Sequence, residues 1–140
     1  MEKEINDYLK DLFPLNRSLT GSDNIKTIKY LIDNILGDAD IKTISSGSKV
    51  FDWIVPPEWN VKDAYVKNKF GEKIIDFKKN NLHLVSYSSP FNDVISKKEL
   101  LEHIHTIPEK PNTIPYRTSY YDKNWGFCCS EKLIKSNVFE

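Results

Sequence analysis

The chain has 140 residues, 39% hydrophobic and 29% charged, a composition too apolar for a disordered chain and long enough for one ordinary domain. Lysine plus arginine balances aspartate plus glutamate at 20 each, so no net positive field draws in nucleic acid or an anionic membrane. Arg17 and Arg117 are the only arginines, which further disfavours phosphate and base readout.

Residues 3–12 carry Ile5, Tyr8, Leu9 and Leu12 at i, i+3, i+4 and i+7, which predicts a short helix ended by Pro14. A loop with Arg17, Thr20 and Gly21 follows. Ser22 or Asp23 can cap a second helix, striped by Ile25, Ile28, Ile32, Ile35 and Leu36 and closed by Gly37. Two short helices cannot build a core alone. They read as a loosely docked element that needs a partner surface or self-associates.

From Asp40 the period changes. Residues 41–45 read as a strand. Val50 to Val55 form a β-prone run stopped by Pro56 and Pro57, and Val61 to Val66 form another. Trp53 and Trp59 beside this proline corner either close one end of a core or wall a ligand. Asn68 to Gly71 predicts a hairpin turn, and Leu82 to Val85 a further strand. Ser96 with Glu99 has capping-box spacing and opens a helix expected to reach about His105. Pro108, Pro111 and Pro115 make the next stretch irregular. Residues 116–128 read as a strand, a turn at Asp122 to Gly126 and a strand, and Ser130 can cap a last turn. The ending at Asn137 to Glu140 reads as cut off.

The chemistry is sparse. His103 and His105, two apart on the expected helix, face different directions and make no metal pair. No P-loop, nucleophile elbow or dinucleotide fingerprint occurs. Adjacent Cys128 and Cys129 form neither a disulfide nor a metal knuckle. No catalytic and no metal-ligating residue is assigned. Arg17 with Thr20, in a glycine-bearing loop at a helix start, either helps hold an anion or ties the loop to the sheet. Tyr116, Tyr120, Tyr121 and Trp125 either line a groove for a sugar or peptide or pack a small core. Tyr120 and Trp125, with Arg17 and Thr20, are the candidate substrate-binding residues. No run approaches the roughly 20 apolar residues that span a bilayer. The charged start lacks a signal-peptide core. A cytoplasmic protein with no membrane and no nucleic-acid partner is expected.

Four phrases carry a resemblance: L-F-P-L-N-R-S-L-T-G, V-F-D-W-I-V-P-P-E-W-N-V-K-D-A-Y, I-I-D-F-K-K-N-N-L-H-L-V-S-Y-S and I-P-Y-R-T-S-Y-Y-D-K-N-W-G-F-C. Together they resemble bacterial zinc aminopeptidase-like proteins with an inserted β-rich domain, associated with polysaccharide biosynthesis. The resemblance implies an α+β chain. Residues 1–40 would be the first helices of an aminopeptidase-like α/β/α domain. Residues 41–130 would be the inserted β-rich domain with one helix, and 131–140 the start of the return. It places the family's zinc ligands in a segment absent from this sequence. The chain is then an N-terminal fragment without its own cofactor, inactive alone. The alternative is a non-catalytic module binding a glycan or peptide, or a glycan-linked small molecule, through its aromatic groove.

Overall fold

The structure, a computed structural model, describes residues 4–17, 20–120 and 122–139. The architecture is α+β, with short helices and three two-stranded sheets. The chain divides into two compact units, Met1–Asn60 and Val61–Glu140.

In the first unit, α1 (Ile5–Leu12) and α2 (Ser22–Leu31) form where the apolar spacing predicts them. Only Leu12 of the α1 stripe is buried, while Ile5 and Leu9 stay exposed. Tyr30 Oη donates to Asp11 Oδ2 at 2.5 Å, and the Tyr8 and Tyr30 rings meet edge to face at 6.3 Å, so the two helices are tied mainly by polar and aromatic contacts. Neither Ser22 nor Asp23 caps α2. The Asp23 carboxylate instead accepts the Asn16 N–H at 2.9 Å and pairs with Lys26 at 2.7 Å. A π turn, Ile32–Leu36, extends α2, and Gly37 closes it with a φ of 71° and an N–H donated to Ile32 O. Gly37 closes the helix at the expected position, but its ψ of -119° puts it outside the αL region of the expected cap.

Two expectations fail here. Residues 41–45 pair with no strand among the described residues, take no regular secondary structure and are largely exposed. The run 50–55 is not one strand but a tight hairpin: β1 (Lys49–Val50) pairs antiparallel with β2 (Trp53–Ile54) across a turn at Phe51-Asp52. β-propensity marks a run but does not say where it bends. Phe51 takes the turn at φ 55°, and Phe51, Trp53 and Ile54 face solvent rather than closing a core.

The second unit opens with β3 (Tyr65–Lys67) and β4 (Lys73–Asp76), antiparallel, with Val66 opposite Ile75. Asn68 builds the predicted turn: its Oδ1 accepts the Phe70 and Glu72 N–H groups. Val66, Ile75, Cys129 and Phe139 form the core, with Leu100, Ile104, Phe127 and Leu133 packed against it.

α3 (Lys97–Glu102) starts on Ser96, whose Oγ accepts the Glu99 N–H as the spacing predicts. It stops earlier than expected. Ile104–His105 are β5, parallel to β6 (Phe127–Cys128), because the His103 and His105 carbonyls accept the Phe127 and Cys129 N–H groups. Residues 81–83 form a 3₁₀ turn capped by Asn80 instead of a strand, and Leu84 bridges Phe127. Around 116–120, among the described residues, Thr118 bridges Ser86 and no longer strand pairing forms. Four short segments therefore lie side by side, in the order 118, 84–86, 127 and 104. α4 (Glu131–Lys135) is capped by Ser130 as expected.

Candidate aromatic and histidine site

The second unit gathers its chemistry around Gly126. This residue is buried, and a Cβ there would stand 2.9 Å from His103 O and 3.1 Å from Val85 Cγ2. Only glycine lets β5 and the 85 segment approach so closely. Its neighbour Trp125 is thereby fixed in a three-ring stack. Phe91 lies on one indole face, centroid to centroid 4.2 Å at 11°, and His103 on the other, 3.9 Å at 14°. Phe127 meets the indole edge-on at 6.3 Å. Both faces of Trp125 are occupied, so a ligand ring would have to displace one of these neighbours to stack on it.

The histidines are held by backbone. A carbonyl only accepts, so His103 Nδ1–H donates to Trp125 O at 2.9 Å and His83 Nδ1–H to Cys128 O at 2.7 Å. Burial, then Arg117, then His103 hold the His105 imidazole below its ordinary range. Burial pushes the thiols up, to about 11 for Cys128 and about 12 for Cys129, so both are inert protonated side chains. Among the described residues no group of three or more His, Cys, Asp or Glu side chains converges to hold a metal. A histidine that donates Nδ1–H to a carbonyl keeps Nε2 for a metal, but among the described residues no group of three ligands converges around either ring, so these residues do not fit the zinc of the resemblance.

Tyr116 and Tyr120 flank Arg117 on the segment beside Ser86. The Ser86 N–H donates to Arg117 O at 2.9 Å and the Ser119 N–H to Ser86 O at 3.0 Å, which pins the segment. Both tyrosines are open to solvent, 63% and 71% exposed, and Tyr120 holds a φ of 49°. Tyr121 lies outside the described residues.

The four sequence candidates divide between the units. Arg17 and Thr20 belong to Met1–Asn60, Tyr120 and Trp125 to Val61–Glu140. Arg17 is exposed. Thr20 Oγ1 donates to Pro57 O at 3.0 Å and Ser22 N–H to Asn60 Oδ1 at 2.8 Å, so the loop is seated on the segment after the prolines. Gly21 between them has a φ of 118°, and a Cβ there would come within 2.5 Å of Trp59 O. The seating is made by Thr20 and Ser22 on residues outside any strand, not by Arg17, which the sequence offered either as an anion holder or as a tie to the sheet. Phe91 and His103, which clamp Trp125, carry no local sequence signal. Arg117 was visible as one of two arginines inside the aromatic phrase.

Residues 58–137 match the family described as "Domain of unknown function (DUF2172)". The chain belongs to this family. The DUF2172 match contains Tyr116, Arg117, Tyr120 and Trp125, while Arg17 and Thr20 lie before it. A Clostridium acetobutylicum protein named "Putative polysaccharide biosynthesis protein with aminopeptidase-like domain" is 49% identical over 128 residues, covering 91% of this chain and 29% of that protein. A crystal structure of a "putative peptidase" from the same organism superposes with a TM-score of 0.90 at 46% identity, over 96% of this chain and 31% of the other. The chain spans under a third of the length of these relatives. They carry the aminopeptidase-like, peptidase and polysaccharide-biosynthesis names that the four phrases led us to expect. Among the described residues no helix is long and apolar enough to cross a membrane.

Proposed function

We propose that this DUF2172 chain is the non-catalytic portion of an aminopeptidase-like protein, with zinc and the hydrolytic groups carried by residues outside this sequence. One observation carries the reading: close identity and fold similarity to proteins with peptidase names, confined to under a third of their length. The lack of a converging ligand set among the described residues and the raised thiol pKa values support it, since they leave no metal site and no activated thiol there. The purified chain, incubated with zinc and aminoacyl chromogenic substrates, gives no turnover above a heat-denatured control. Metal-dependent hydrolysis by these 140 residues overturns the reading.

A second reading is a glycan- or peptide-binding module, favoured by the exposed pair Tyr116 and Tyr120 on a pinned segment. Stacked tyrosine faces suit sugar rings. In this version a ligand that reaches Trp125 displaces Phe91 or His103 from its faces. Trp125 fluorescence shifts on titration with bacterial oligosaccharides or short peptides. An unchanged spectrum at millimolar ligand removes this second reading.

A further inference from the structure

We propose that residues 90–95 are a strap that swings off Trp125 while the rest of the second unit stays folded, with Phe91 as its latch. Hydrogen bonds anchor the chain on either side of the strap. Before it, the Ser89 N–H donates to Asn124 O at 2.8 Å and the Val85 N–H to Gly126 O at 3.0 Å. After it, Ser96 Oγ accepts the Glu99 N–H at 3.2 Å and Ser96 O accepts the Leu100 N–H at 2.9 Å. Between these anchors, among the described residues, no hydrogen bond joins 90–95 to another segment. The Val94 N–H turns back on Asp93 Oδ1 at 2.7 Å, and Pro90 has no N–H to give. Residues 90–94 are exposed, Val94 by 97%.

What holds the strap down is a ring. Phe91 lies on Trp125 at 4.2 Å and 11°, and is still 46% exposed. One stacked pair is a small tie beside the cooperative core of Val66, Ile75, Cys129 and Phe139. The other face of the indole is held differently. His103 stacks there at 3.9 Å and donates Nδ1–H to Trp125 O at 2.9 Å. Its backbone is bonded as well, the N–H to Leu100 O at 3.0 Å and the carbonyl to the Phe127 N–H at 2.9 Å. Moving His103 breaks the close of α3 and the pairing of β5 with β6, whereas moving Phe91 breaks a ring contact. Opening therefore bares one face of Trp125 and leaves the other covered. Under the second reading that is the face a ring-bearing ligand takes, but the strap opens without ligand and stands or falls separately.

Native-state proteolysis of the whole chain, with a protease that cuts before aspartate, separates strap from core. Asp93 lies on the strap. Asp76, 8% exposed in β4, is reached only when the second unit unfolds. Each rate is divided by that of the heat-unfolded chain, which removes the protease's own preferences. The cut before Asp93 is at least about tenfold faster than the cut before Asp76, because it tracks local opening. Phe91→Ala speeds the Asp93 cut about fivefold, the worth of one ring pair, and leaves the Asp76 cut unmoved. Trp125→Leu gives a similar gain, and the double variant gains no more than either single one. Phe91 is half exposed, so its variant keeps the fold and decides the matter even where Trp125→Leu unfolds. An Asp93 cut no faster than the Asp76 cut means the strap opens only with the core, and overturns the proposal. An Asp93 rate unmoved by Phe91→Ala takes the latch away from Phe91, and equal acceleration at both sites makes Phe91 part of the core; either overturns it. Additive gains in the double variant separate the two rings and overturn it as well.

Discussion

The two units solve the burial problem differently. Val61–Glu140 encloses Val66, Ile75, Val85, Tyr87, Cys128, Cys129 and Phe139, drawn from five separate stretches of chain. Among the described residues, Met1–Asn60 buries Leu12, Gly21, Thr27 and Pro56, and leaves Ile5, Leu9, Phe13, Ile35, Leu36, Ile44, Phe51 and Ile54 exposed. The difference lies in how many segments converge, not in the supply of apolar residues. Helices and a two-residue hairpin with well-formed stripes still lack a core when no third layer meets them.

The largest expected break in this contrast is Ile75→Ala. Ile75 is 1% exposed at the centre of the second unit. Its loss costs about 2–5 kcal/mol, read as a lower denaturant midpoint with an unchanged slope. A loss below about 1 kcal/mol would mean the second unit is not the cohesive one.

Acid acts next. The His105 pKa is lowered, chiefly by burial and then by Arg117. Folding therefore favours its neutral form. That contribution is whole above the unfolded value of 6.5 and drains as pH falls from there toward the lower folded value. Asp23, Asp76 and Glu131 are lowered too, so their contributions fade only below the carboxylate range, near 3.8 for the aspartates and 4.5 for Glu131. Thermal melts of the second unit should thus weaken between pH 7.5 and 5.5, and His105→Gln should flatten that interval. A parent protein with identical melting at both values would remove the electrostatic account.

The smallest effect sharpens the comparison from the other side. Leu36→Gln, on a residue 61% exposed, should change stability by no more than about 0.5 kcal/mol. Amides of 25–36 should also exchange before those of 65–76. Equal protection, or a large penalty at Leu36, would show that the first unit's stripe is covered in solution, as by self-association.

Legibility followed the range of the forces involved. Ser96 and Ser130 act as caps, Gly37 closes its helix and Asn68 builds its turn, because each motif bonds within three to five residues of itself. The failures all needed a partner elsewhere. Residues 41–45 have the residues of a strand but pair with no strand among the described residues. Ile104 and His105 have helical neighbours, yet become strand because β6 offers donors to their segment. Tyr120 was legible as a candidate, whereas the clamp on Trp125 by Phe91, 34 positions earlier, was not.

The sequence by itself determined the α+β class, the absence of a basic field, the two N-terminal helices, the 68–71 hairpin and the kinship with aminopeptidase-like proteins. Composition, period and local hydrogen bonding need no distant information. Tertiary structure alone decided that the β-prone run at 50–55 folds into an exposed hairpin. It also decided that two histidines spend Nδ1 on carbonyls and that Phe91 and His103 stack on Trp125. Each depends on which segments meet, and loop-closing contacts across 20 to 45 residues leave no trace in the local pattern.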